Sequence, residues 1–385
     1  MIKLNRFYQT KINKWIISGL LILTLTFTGC AWVTGETVTP PQSSALGSLG
    51  EIEVALNSIY SKVNPSVVNI QVLLPGPITN GVALGSGFVW DRQGNLVTNN
   101  HVVDGASRIT VTFYDGTTVE ASLVGTDSDS DLAVIKVDTN AVQLQPVTMA
   151  DSTQLKVGQF AIAIGNPFGL QGTMTVGFVS GLGRLLPANQ NAMGPNYRIP
   201  EIIQTDTAIN PGNSGGVLLD NAGKVIGVTS SIATTSGTFA GVGFAIPSAI
   251  VQQVVPALIN TGHYDHPYLG ISIVSLNPDI AKAMNLPPNQ RGALVNDITA
   301  GSPADKAGLQ ASQTEVNING QQVLVGGDVI VDYNGQQVQS SDDLITFLAR
   351  SGSVGQTITL GVLRGGKQIQ IQVTLGVRPS SQTPT

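Results

Sequence analysis

The sequence predicts a mainly β protein built from antiparallel barrels. Three observations carry this: short runs of Val, Ile, Leu and Ala recur at regular spacing, glycine turns such as Asp115-Gly116 and Ala222-Gly223 separate them, and the helical crossovers of a parallel sheet are missing. Composition agrees, with 42% apolar residues, only 5% aromatic ones and 44 glycines in 385 residues, a length that allows two or three domains. Charged residues make up 11% and the formal net charge is −5, so no basic surface points to nucleic acid. Three histidines and one cysteine leave no clustered ligands for a structural zinc site. The glycine-rich segments lack the Lys-Ser/Thr or strand-to-helix context of a phosphate-binding loop. No metal and no organic cofactor are expected.

Residues 1–30 read as a targeting segment, because Lys3, Arg6, Lys11 and Lys14 precede an apolar run from Trp15 to Phe27 that is short for a membrane span. The run ends in Phe27-Thr28-Gly29-Cys30, which resembles a bacterial lipobox except that Phe27 stands where an aliphatic residue is usual. Cys30 is the candidate for lipidation after cleavage. The alternatives are an uncleaved N-terminal anchor or ordinary signal-peptidase cleavage near Gly29 or Ala31. All of them place the rest of the chain in an extracytoplasmic space, the periplasm or the outer face of the cytoplasmic membrane, where its stability cannot depend on disulfides. Residues 31–50, rich in Thr, Pro, Ser and Gly, read as a flexible linker.

A short amphipathic helix follows over 51–62, with Ile52, Leu56 and Ile59 on one face. Strands are expected at 67–74, 85–90, 96–98, 108–113, 120–127, 132–137, 160–165, 174–180, 202–205, 216–219, 224–231 and 241–246. Apolar Ile250, Val251, Val254, Val255 and Leu258 predict a helix over 247–259 that Pro256 should kink or end. Residues 261–266 form a polar hinge whose His263 and His266 are expected as linker surface rather than as a metal pair.

Candidate chemistry gathers at three places. In Asn210-Pro211-Gly212-Asn213-Ser214-Gly215-Gly216 a serine stands among glycines, and Gly212 can turn its N–H toward the same point as the N–H of Ser214. Alone, this would be an ordinary surface turn. Upstream, the strand Leu96-Val97-Thr98 runs into His101, and imidazole is the side chain best suited to accept a serine proton near neutral pH. Asp131, at the threshold of the strand Leu132-Ala133-Val134, can accept from His101 Nδ1 and fix its tautomer. The three together, in the order His, Asp, Ser, point to acyl transfer through a serine nucleophile.

The strings TNNHVV, SDLAVIKV, AIGNPFGL, QTDTAINPGNSGG and GVGFAIP resemble the HtrA (Deg) family of trypsin-like serine proteases with a C-terminal PDZ domain. The resemblance implies a chymotrypsin-like double β-barrel protease domain over 51–260, one PDZ domain over 267–378 and a disordered tail over 379–385. It implies Ser214 as nucleophile, His101 as general base, Asp131 as orienting acid, and Gly212, Asn213 and Ser214 as the oxyanion hole. It selects Asp131 over Asp127 and Asp129, which are expected as solvated loop charges. Tyr268-Leu269-Gly270-Ile271 resembles the carboxylate-binding loop of such PDZ domains, with a free C-terminal peptide as ligand.

By the same analogy Ala208 takes the place of the acidic residue that selects Lys or Arg. Thr229, Ser230, Ser231 and Ile232 should border an S1 pocket for small aliphatic side chains. Arg184 is expected to open a long irregular loop to Pro200 that relays peptide or substrate binding to the oxyanion hole. A short connection between the first two strands implies a simple homotrimer. The expected function is an extracytoplasmic serine endopeptidase of protein quality control that cleaves unfolded or damaged polypeptides, held at the membrane by its N-terminal anchor. The alternatives are a non-proteolytic chaperone or peptide-binding protein, and a dedicated signalling protease with one membrane partner.

Overall fold

The computed structural model describes residues 44–76, 81–166, 172–187, 198–230 and 240–379. Cys30, Ser231, Ile232, the targeting segment and residues 380–385 lie outside them. The chain divides into two units, 1–52 and 53–385. Helix α1 (Ser44–Val63) begins within residues read as linker.

Six strands, β1 (Val67–Leu74), β2 (Gly81–Val89), β3 (Asn95–Thr98), β4 (Arg108–Thr112), β5 (Thr118–Asp127) and β6 (Leu132–Val137), close a first barrel in the order β1-β2-β3-β6-β5-β4. Helix α2 (Asn100–Val103) is a single turn directly after β3. A second barrel, in the order β10-β11-β12-β9-β8-β7, is made by β7 (Phe160–Gly165), β8 (Thr173–Pro187), β9 (Arg198–Thr205), β10 (Val217–Leu219), β11 (Val225–Ser230) and β12 (Gly243–Pro247). All pairings within the two barrels are antiparallel, and closure leaves no edge open to a foreign strand.

Each barrel has its own interior: Ile70, Leu96 and Ile135 in the first, Ala163, Leu218 and Ile226 in the second. A third cluster joins them, where Phe88 and Leu132 of the first barrel meet Ile164 and Ile246 of the second and Ile59 and Val63 of α1. Removing apolar area from water on this scale, at about 25 cal/mol per Å², makes the junction between barrels a rigid place to build a site.

One expectation is narrowed here and another fails. Pro256 lies inside α3 (Ser248–Thr261) without ending it. Pro256 is exposed, so the carbonyl that loses its donor faces water, while Val251, Val254, Val255 and Leu258 hold the buried face. Arg184 does not open an irregular loop: it lies within β8, paired with Ile202 of β9 across a ladder with several register shifts.

In the C-terminal domain β14 (Ile271–Ser275), β15 (Ala293–Ile298), β18 (Val329–Tyr333), β20 (Thr357–Arg364) and β21 (Lys367–Thr374) form one sheet in that order, with β19 (Gln336–Gln337) on β18. The pair β13 (Pro267–Tyr268) and β22 (Gly376–Val377) ties the chain's entry to its exit. Helices α4 (Pro278–Ala283), α5 (Pro303–Lys306) and α6 (Ser341–Ser351) complete it, and α6 starts with a capping box between Ser340 and Asp343. β16 (Thr314–Ile318) and β17 (Gln321–Val325) form a separate antiparallel hairpin. Arg364 grips the buried Asp328 through Nε and Nη2 at 2.8 and 2.7 Å, and this hydrogen bond raises the pKa of the guanidinium further.

Candidate active site

The first barrel builds a base and its partner. Asp131 takes a left-handed backbone conformation with φ 55°, unusual for a residue with a Cβ though tolerated by Asp. Its carbonyl accepts from Asn100 N–H at 3.1 Å and Asn99 Nδ2 at 2.9 Å, which ties the β5–β6 turn to the start of α2. The reversed backbone swings the carboxylate under His101. Oδ1 accepts the His101 backbone N–H at 3.0 Å, and Nδ1 of the ring lies 2.9 and 2.8 Å from Oδ1 and Oδ2. A carboxylate only accepts, so Nδ1 carries a proton, and in the neutral ring the lone pair is then on Nε2. Ser230, from β11 of the second barrel, donates its hydroxyl to Oδ2 at 3.4 Å.

The second barrel supplies the serine. Asn213 N–H donates to Asn210 O at 2.9 Å, closing a turn with Pro211 and Gly212 at its centre. Gly212 has φ 95°, and proline followed by a residue of positive φ is the signature of a type II turn. In such a turn the central N–H, here that of Gly212, points away from the turn's own hydrogen bond. Among the described residues it meets no acceptor. Asn213 N–H is engaged within the turn, which takes it out of the expected set of oxyanion donors.

Ser214 is buried. Its carbonyl accepts from Ser86 N–H at 2.8 Å, and Gly215 N–H donates to Thr229 O at 2.9 Å. A Cβ on Gly215 would stand 2.1 Å from Ser86 O and 2.4 Å from Thr98 Oγ1. Only glycine therefore lets this loop approach β2 and the strand end that leads into His101.

Of the residues expected around S1, Thr229 and Ser230 are both buried, their hydroxyls given to Asn213 O and to Asp131. Ala208, partly buried, accepts the Thr175 hydroxyl on its carbonyl at 2.9 Å. Arg184 is exposed on β8. In the C-terminal domain Leu269 O accepts from Ala304 N–H and Gly270 O from Thr299 N–H, both at 2.9 Å. These bonds turn the carbonyls of the Tyr268–Ile271 loop inward. The adjoining β14 pairs only with β15, leaving one edge open among the described residues.

Two further expectations are corrected. Asp127 and Asp129 are not solvated charges, and His266 is not linker surface. His266 Nε2 lies 2.9 Å from both carboxylate oxygens of Asp127, and the side chains are only 11% and 7% exposed. Asp127 also accepts from the Ser130 N–H at 3.2 Å and from the Ser130 hydroxyl. Arg378 Nη1 reaches Asp129 Oδ2 at 3.1 Å. Burial raises the pKa of the neighbouring Tyr264, against the Gln253 hydrogen bond and together with the charge of Asp127. A third link between domains joins Arg350 of α6 to Glu201 of β9. No group of metal-ligating side chains occurs among the described residues.

A family model of a trypsin-like peptidase domain matches residues 85–228, and one of a PDZ domain matches residues 267–375. Protease Do-like 1, chloroplastic, of Arabidopsis thaliana is 43% identical over 295 residues, 77% of this chain and 64% of that protein. The probable periplasmic serine endoprotease DegP-like of Hahella chejuensis is 43% identical over 296 residues, 77% of this chain and 57% of its own length. The chain thus spans less than two thirds of either relative. The solved HtrA-type protease AlgW with a tripeptide superimposes with a TM-score of 0.68 at 35% identity, covering 84% of this chain and 97% of that one.

Proposed function

This chain belongs to the HtrA (Deg) family of serine proteases, and we propose that it is a serine endopeptidase that hydrolyses unfolded polypeptides through an acyl-enzyme on Ser214. The observation that carries this reading is the His101–Asp131 pair, held by the His101 backbone N–H and by Nδ1 in contacts of 2.8 to 3.0 Å, at the barrel junction where the Ser214 loop docks. His101 Nε2 takes the proton as Ser214 Oγ attacks the scissile carbonyl, and Asp131 stabilises the imidazolium that forms. Charge on the carbonyl oxygen is met by the N–H groups of Gly212 and Ser214. His101 then hands its proton to the leaving amine, the C–N bond breaks, and water, deprotonated by the same base, releases the acyl group.

Other parts of the reading attach to this centre. With Ala208 in place of an acid, cleavage should follow small aliphatic residues, and a profile dominated by Lys or Arg would count against it. A C-terminal peptide would add as a strand to the open edge of β14, its carboxylate on the N–H groups of the Tyr268–Ile271 loop. Arg184, on the β8–β9 ladder that also carries Glu201, would relay that occupancy toward the oxyanion turn. The exposed Phe160, Val176 and Phe178, with the two rings 5.2 Å apart, form an apolar patch that suits contact between copies in a homotrimer. Sedimentation as a monomer would remove that element.

The periplasmic name of a relative and the charged and apolar pattern of residues 1–30 support an extracytoplasmic location with a lipid on Cys30, which the mass of the mature N-terminus would test. No described helix is long and apolar enough to cross a membrane.

The deciding experiment incubates the full chain and its Ser214→Ala variant with unfolded casein and maps the cuts. Cleavage by the parent alone is the expected result. Casein left intact by both, yet kept from aggregating, would replace the enzyme by a binding protein.

A further inference from the structure

Ser86 is a polar residue with no exposure to solvent, on a strand of the first barrel and outside the His, Asp and Ser set. Its hydrogen bonds almost all leave its own barrel. The hydroxyl donates to Gly212 O at 2.6 Å and accepts from Asn166 N–H at 2.8 Å. Its backbone N–H donates to Ser214 O at 2.8 Å. Its carbonyl accepts from Thr98 Oγ1 at 2.7 Å, and Thr98 ends the strand that leads into His101.

Ser86 thus touches the nucleophile loop on both sides of Asn213, and the base's own strand as well. The Gly212–Asn213 peptide is held at both ends, its carbonyl by Ser86 and its N–H by Asn210. Asn166 and Gly212 lie on different loops of the second barrel, and one hydroxyl from the first barrel spans them. Hydrophobic contact alone, through Phe88, Leu132 and Ile164, is non-directional and cannot fix the rotation of that peptide. A directional hydroxyl can.

We propose that Ser86 is a positioning residue for the reaction: its hydroxyl registers the oxyanion turn and Ser214 of one barrel against His101 of the other. It touches no reacting atom. The inference rests on the proteolytic reading given above. Its consequence is that losing the hydroxyl should harm the transition state more than substrate binding. Misplacing reacting groups by an ångström costs about a hundredfold in rate.

The test uses the full chain with a fluorogenic peptide, and a peptide boronate as a mimic of the tetrahedral oxyanion. Ser86→Ala should lower kcat by about 30- to 100-fold with KM within about twofold. Its affinity for the boronate should fall in parallel with kcat, while the melting transition stays cooperative. Ser86→Thr, which keeps the hydroxyl, should recover most of the rate. If Ser86→Ala fails to fold, Ser86→Cys replaces it as a weak donor of similar size and should remain slower than Ser86→Thr.

An Ala or Cys variant within threefold of the parent would overturn the inference, as would a Thr variant as slow as the variant without the hydroxyl. A loss of kcat with unchanged boronate affinity would overturn it too. A parent no more active than Ser214→Ala would instead strike the proteolytic reading itself, and this inference with it.

Discussion

Two histidine–aspartate pairs share the turn between β5 and β6. His101 meets Asp131 at 2.8 and 2.9 Å, and His266 meets Asp127 at 2.9 Å from both oxygens. By distance alone they are equivalent. Their surroundings separate them. The His101 side chain is 36% exposed, bonded to its acid through Nδ1, with the docked Ser214 loop and Ser230 nearby. His266 is 11% exposed, bonded through Nε2, with Tyr264 edge-on at 4.7 Å between ring centroids and Ser130 on the same carboxylate. The first pair leaves Nε2 on the exposed side of the ring, not used on the acid, for proton transfer. The second uses its far nitrogen on the acid and joins the hinge to the turn. A His–Asp contact thus gains a chemical role only from what stands at the other ring nitrogen, and the same loop serves both purposes.

Substitutions should pull the two pairs apart. Asp131→Asn removes the acceptor that sets the His101 tautomer, and kcat on a peptide substrate should fall by about 10⁴-fold; a loss under tenfold would make the pairs alike. Asp127→Asn should cost about 3 kcal/mol of stability in urea, as expected for breaking a buried pair, with kcat held within tenfold. A kcat loss equal to that of Asp131→Asn would place the hinge pair in the chemistry. Ser230→Ala removes only a long hydrogen bond on Asp131, so kcat should drop by no more than about tenfold, equivalent to one ordinary hydrogen bond. An unchanged rate would show that Asp131 is fully held from the first barrel. Arg378→Ala, opening a pair with Asp129 that is a quarter exposed on either side, should shift stability by less than about 1 kcal/mol. A larger shift would mean that the hinge clamp extends beyond His266.

The barrels and the chemistry at His101, Asp131 and Ser214 were legible because each lies in a local pattern: alternating strands, glycine turns, a serine among glycines. The helical spacing of α3 was also legible, though Pro256 misled about its end, since exposure on the water-facing side is a tertiary fact. Asp127, Asp129 and His266 read as surface residues in the sequence for the same reason. A charge on a polar loop looks solvated until a segment more than a hundred positions away folds over it. The expected loop at Arg184 rests on analogy alone, and the local ladder, with Gly181 and its register shifts, instead keeps Arg184 in β8. Ser86, between Gly85 and Gly87, carried a faint signal, small residues on a strand where another backbone must come close. Nothing in the sequence says which backbone that is.

The central claim, that Ser214 is the nucleophile activated by His101, is tested most directly by reacting the full chain with a fluorophosphonate and locating the adduct by mass spectrometry. The account predicts one adduct, on Ser214, absent from Ser214→Ala and formed far more slowly in Asp131→Asn. An adduct on another serine, or casein cleavage that survives in Ser214→Ala, would contradict it.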